Sequence, residues 1–138
     1  MIPLIVLDAN AAVEMVRGTE EGAAMEYLIL DQEEKIAPAF YQIEVRNTFW
    51  KYVRFASMAE SESLMHIADA MGLIDRFYPI EPIVDEAFLE ALRQRHPIYD
   101  MLYLCLARRY DATMFTLDRK LQEACMEAGV NCICMVDF

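Results

Sequence analysis

The sequence predicts an α/β fold with a mostly parallel sheet covered by helices on both faces, and three observations carry that expectation. Short apolar runs, LIVLD at 4–8, ATMFT at 112–116 and VNCICMV at 130–136, are bounded by turn or polar residues and read as buried strands. Amphipathic helical patterns fill the stretches between them. Strands parted by helices need crossover connections, and crossovers favour parallel pairing.

Taken in order, residues 2–8 read as a first strand, followed by short helices near 10–16 and 20–30 that break at Arg17-Gly18. A strand near 35–37 precedes Pro38, which suits a helix start because proline lacks the donor that a first turn leaves unpaired. A long amphipathic helix then covers about 39–56, and another runs from about 60 to 73. A strand near 77–81 ends before Pro82, with helices near 84–95 and 99–110 after it. The strand at 112–116, a helix at 119–128 closed by Gly129, and the last strand complete the chain. No repeat, low-complexity tract or Gly/Pro/Ser-rich linker divides it, so residues 1–138 are expected to form one domain.

Charge narrows the function classes. The chain has 12 Lys and Arg against 23 Asp and Glu, a net charge of −11. That balance argues against a broad nonspecific grip on nucleic acid, which relies on neutralising phosphates. No apolar run is long enough for a bilayer and no basic leader precedes the first strand, so a cytoplasmic protein without a membrane anchor is expected. Cys105, Cys125, Cys132 and Cys134 contain no C-x-x-C and have no histidine at zinc-like spacing, and read as reduced thiols. At period two, Cys132 and Cys134 would share one strand face.

The acids are the chemistry-bearing residues. Asp8 closes the first strand and Asp118 follows the strand ATMFT by two residues, so a parallel sheet would deliver both to the same edge. Each also has a plain structural reading as the N-cap of the helix that follows. On the long helix, Glu44 and Asn47 lie three residues apart on a common face beside Phe40, Ile43, Phe49, Trp50 and Val53. Asp100 opens a strongly apolar helix, where an acid also complements the helix dipole.

The ordered segments LDAN, IEVRN, IYDMLYLCLA and TLDRKL resemble PIN domains, most closely the VapC-like toxin ribonucleases of toxin–antitoxin modules, from residue 4 to about 136. The resemblance implies a three-layer α/β/α fold with a five-stranded sheet in the order 3-2-1-4-5, which sets the first and fourth strands side by side. It matches Asp8, Glu44, Asp100 and Asp118 to the acidic site, and Asn10, Asn47 and Thr116 to positions that support it. One departure stands out: Ala9 occupies a position where the family usually shows Ser or Thr.

Clustered carboxylates repel one another unless their pKa values rise or a cation binds, and all-oxygen ligands favour Mg²⁺ or Mn²⁺ over zinc. Asp8, Asp100 and Asp118 are the expected metal ligands, with Glu44 as a ligand or a base acting through water. The expected activity is metal-dependent hydrolysis of RNA phosphodiester bonds. Arg46, Arg95 and Arg119 belong to a local basic rim expected to touch RNA phosphates despite the overall charge. Methionines such as Met15, Met25, Met58, Met65 and Met71 read as adaptable core or as part of a groove for a partner helix. The resemblance further implies a small antitoxin partner and a homodimer. The rival reading is an inactive PIN-like interaction module, favoured by Ala9 and by the net charge of −11. A phosphoacceptor receiver domain is a poorer match, because IVLDAN lacks adjacent acids and the tail lacks the lysine that such a site needs.

Overall fold

The computed structural model describes residues 3–29 and 32–133. The element order is β1 (Leu4–Leu7), α1 (Ala9–Arg17), α2 (Glu20–Leu28), β2 (Glu34–Pro38), α3 (Tyr41–Ala56), α4 (Glu60–Gly72), β3 (Arg76–Tyr78), α5 (Val84–Gln94), α6 (Ile98–Tyr110), β4 (Thr113–Phe115), α7 (Arg119–Ala128) and β5 (Cys132–Ile133). Ile2, the end of the expected second helix at residue 30, Cys134 and the rest of the last strand lie outside the described residues.

All strand pairs are parallel and the sheet order is β3-β2-β1-β4-β5. This is the order that the resemblance implied. Right-handed crossovers explain the layers: the chain steps from β1 outward to β3 through α1–α4, then returns and steps outward from β4 through α5–α7. The helix contacts agree, since α1 packs on α2, α3 and α4, while α6 packs on α5 and α7. β1 is the central strand, and Ile5, Val6 and Leu7 are all fully buried.

Helix α6 is the main internal column. It contacts β1, β2 and β4, and Met101 to Ala107 are buried without a break. A helix apolar all round has no solvent face, and each large side chain it buries stabilises the fold by about 1.5–3 kcal/mol. The one acid at its mouth, Asp100, is thereby fixed against the rigid centre of the protein.

Two details correct the sequence reading. Pro38 is the last residue of β2 rather than the start of a helix; the Ala39 amide donates to Tyr78 O at 2.7 Å, and α3 begins only at Tyr41. Proline is tolerated there because it stands at the end of the ladder, where the missing donor matters least. On α3, Ile43 and Trp50 are exposed, so the buried stripe is Tyr41, Val45 and Phe49.

Gly22 records a close helix crossing. A methyl group at this buried position of α2 would overlap the Glu14 carbonyl of α1. Glycine here lets the two helices approach until their backbones touch.

Candidate active site

Parallel strands that diverge in opposite directions from a shared boundary leave a crevice at their carboxyl ends. Here β1 and β4 are that pair, in register through Leu7 and Phe115, with the Asp8 amide donating to Phe115 O at 3.0 Å. The chain therefore releases Asp8 and Thr116 at the same edge. A cavity of about 380 Å³ opens there, and Asp8, Glu44, Asp100 and Asp118 all line it.

Asp8 is the deepest of these acids, only 3% exposed. It occupies the N-cap position of α1 yet makes no side-chain capping bond. Instead Thr116 Oγ1 donates to Asp8 Oδ2 at 2.7 Å. Burial pushes the Asp8 carboxyl up to about 8, the Thr116 hydrogen bond opposes that rise, and the charges of Glu44 and Asp100 add to it.

Thr116 also organises its surroundings. Its hydroxyl lies 3.3 Å from Asn10 Oδ1 and accepts from the Asp118 amide at 3.1 Å, while Asn10 Oδ1 accepts from the Leu117 amide at 3.2 Å. Asn10 and Thr116 thus tie the β4–α7 turn to the start of α1. Asp118 Oδ1 caps α7 by accepting from the Lys120 amide at 2.9 Å, and the residue also lines the cavity.

Glu44 reaches the cavity from α3, and burial raises its pKa; Tyr103 partly offsets that rise, and the Asp100 charge adds to it. Among the described residues, Glu44 Oε1 is a buried oxygen with no hydrogen-bond partner. Asp100 is raised by burial, by the Asp118 charge and by a proton it can share with Asp118, while His96 pulls it down. His96 Nε2 lies 3.4 Å from Asp100 Oδ2 and Nδ1 lies 3.0 Å from the Pro97 carbonyl.

The remaining expected residues are placed less centrally. Asn47 is exposed and does not line the cavity, where Thr48, one residue further along α3, stands instead. Arg46 donates to Gln42 O on its own helix and faces the groove between α3 and α4. Arg95 lines a neighbouring cavity of about 570 Å³ with His96 and Lys120, and Arg119 is exposed at the first turn of α7. Arg108 and Arg109 are engaged elsewhere, in ion pairs to Glu86 and, for Arg108, Glu90. Glu14 and Glu21 also line the acidic cavity and were not anticipated. The available signal was the face of α1 that Asn10 shares with Glu14, four residues along.

As an ion site the donor set fits: all-oxygen, strongly acidic, with one buried carboxyl raised for want of a counter-charge and one buried oxygen without a partner. Among the described residues, no three acids are drawn together tightly enough to hold an ion as they stand.

The PIN domain family matches residues 5–126. The chain belongs to the PIN domain family. Among its relatives, Ribonuclease VapC12 of Mycobacterium tuberculosis is 31% identical over 121 residues, covering 88% of this chain and 92% of that protein. Ribonuclease VapC3 of Pyrobaculum aerophilum is 25% identical over 121 residues, covering 86% and 92%. Among solved structures, PAE2754 from Pyrobaculum aerophilum aligns with TM-score 0.70 at 18% identity over 90% of this chain and 81% of that one. VapBC2 from Rickettsia felis, bound to a fragment of its promoter DNA, aligns with TM-score 0.68 at 12% identity over 94% and 97%. At these identities the two structures speak to the PIN fold alone.

Proposed function

We propose that this PIN domain is a Mg²⁺- or Mn²⁺-dependent endoribonuclease and the toxin of a toxin–antitoxin pair. The observation that carries the reading is the convergence of Asp8, Glu44, Asp100 and Asp118, far apart in sequence, on one cavity at the β1/β4 switch point. The names of the VapC ribonuclease relatives supply the substrate class.

In this reading Asp8 and Asp100 are direct ligands, Glu44 a ligand or a base acting through water, and Asp118 a ligand for a second or outer-sphere ion. When bound, a divalent cation acidifies its water and stabilises charge on the phosphoryl oxygens. The chain's own part is to hold that water and the scissile phosphate. Thr116 keeps Asp8 aimed into the cavity, and Asn10 braces the turn that presents Asp118. Ala9 lines the cavity without a hydroxyl, but the Thr116 bond to Asp8 does not depend on it. Arg95, which lines the neighbouring cavity, and the exposed Arg119, next to Asp118, suit RNA phosphates. Arg46 and Asn47 lie further out, where they suit a longer RNA path.

A toxin–antitoxin complex from Klebsiella pneumoniae is structurally similar, with TM-score 0.58 at 15% identity over 83% of this chain and 86% of that one, which supports a small antitoxin as partner. The α3/α4 groove, lined by Trp50, which is 56% exposed, and by Val53 and Ile67, offers apolar anchors for a helix. A homodimer and a cytoplasmic location complete the proposal; no helix among the described residues is long and apolar enough to cross a membrane.

Cleavage of a mixed RNA substrate by purified protein in Mn²⁺ tests the activity. The expected result is metal-dependent cleavage that disappears in Asp8→Asn and Asp100→Asn. Cleavage that persists in both variants would assign it to a contaminant.

A further inference from the structure

Near the acidic cavity, the Glu44 carboxylate and the Tyr103 hydroxyl each feel the other electrostatically. Among the described residues, Glu44 Oε1 and the Tyr103 hydroxyl are both closed to solvent and without a partner. Tyr103 is fully buried on α6, three residues after Asp100 and so on the same side of that helix. Tyr41, the other fully buried phenol, is already engaged, donating to Ala70 O at 2.7 Å.

A buried phenol with no partner carries the desolvation penalty of a lost hydrogen bond, so packing alone would be served better by phenylalanine. Glu44 Oε1 carries the same penalty from the acceptor side. A hydrogen bond between the two would satisfy both groups at once.

We infer that Tyr103 is a positioning residue: its hydroxyl donates to Glu44 and fixes that carboxylate in the acidic cavity. The electrostatics support the pairing from both sides. Tyr103 favours ionised Glu44, and burial together with the nearby Asp8 and Glu44 charges keeps the phenol protonated and able to donate. α3 and α6 lie in opposite helical layers, so the bond would also pin the position of one layer against the other at the site. An acid on a long side chain needs such a restraint, because each free torsion spreads its oxygens away from the productive position.

The inference rests on the proposed role of Glu44 toward a divalent ion. Its test is Tyr103→Phe, which removes one oxygen and leaves the packing intact. Three quantities are read: Mn²⁺ affinity from the free-ion electron paramagnetic resonance signal, kcat and KM for RNA cleavage, and the melting temperature without metal. The expected result is about a tenfold loss of Mn²⁺ affinity and of kcat, an unchanged KM, and cooperative unfolding with a melting temperature within a few degrees of the parent. Mn²⁺ affinity and kcat indistinguishable from the parent would overturn the inference, as would a loss accompanied by non-cooperative unfolding. If the parent protein itself binds no Mn²⁺, the metal reading and this inference fall together.

Discussion

Thr116 donates to Asp8 at 2.7 Å across a sequence separation of 108 residues, and this bond joins the two strands at whose boundary the cavity opens. It stabilises the ionised form of an acid that burial nonetheless pushes up to about 8. Thr116→Val keeps the shape and removes the donor. The variant is expected to bind Mn²⁺ about tenfold more weakly and to lose about 1–2 kcal/mol of stability, since the Asp118 amide also loses its acceptor. Calorimetry with Mn²⁺ and urea unfolding check the two effects separately.

The pH dependence of stability follows from the same acid. Between the unfolded value of 3.8 and the folded value of about 8, the folded protein holds a proton on Asp8 that the unfolded chain has released. Stability therefore falls as pH rises through this window, and Glu44 and Asp100, both raised, act in the same direction. Glu90 is held down to about 2, so its contribution is constant above its ordinary value of 4.5 and is lost as pH falls from there towards 2. Urea unfolding in chelator from pH 5.5 to 8.5 is expected to show this decline, with a shallower slope and higher stability at pH 8 in Asp8→Asn.

Away from the site, Glu90 is buried on α5 and gathers Arg93, Gln94 and Arg108 around one carboxylate. Removing it leaves Arg108 with Glu86 as its ion-pair partner and a weak contact to Cys105 Sγ. Glu90→Ala is expected to lose about 2–3 kcal/mol, read by urea unfolding, while leaving Mn²⁺ affinity unchanged.

Gly22→Ala tests the α1/α2 crossing. The added methyl would overlap the Glu14 carbonyl, so the helices must separate. A drop of about 1–3 kcal/mol in stability is expected. Because Glu14 and Glu21 line the cavity from these helices, the variant should also perturb metal affinity, unlike Glu90→Ala.

Much of this was legible in the chain itself. The strand ends gave Asp8 and Asp118 because a parallel sheet orients every strand alike, and the apolar run after Asp100 marked α6 as internal. Asn47 against Thr48 was not legible: both lie on Glu44's side of the helix, and which flank faces the cavity depends on how α3 packs against α4. Pro38 was misplaced because its fixed backbone angle suits a strand end as well as a first turn. The inferred Tyr103–Glu44 pairing joins opposite layers, and no local pattern signals a pairing of that kind.

Titration of Mn²⁺ into the parent protein and Asp8→Asn by calorimetry at pH 8 tests the central claim most directly. The account predicts saturable binding to the parent and its loss in the variant, with both proteins cooperatively folded. Equal heats from the two would show that the acidic cavity is not an ion site and that Asp8 is a structural residue.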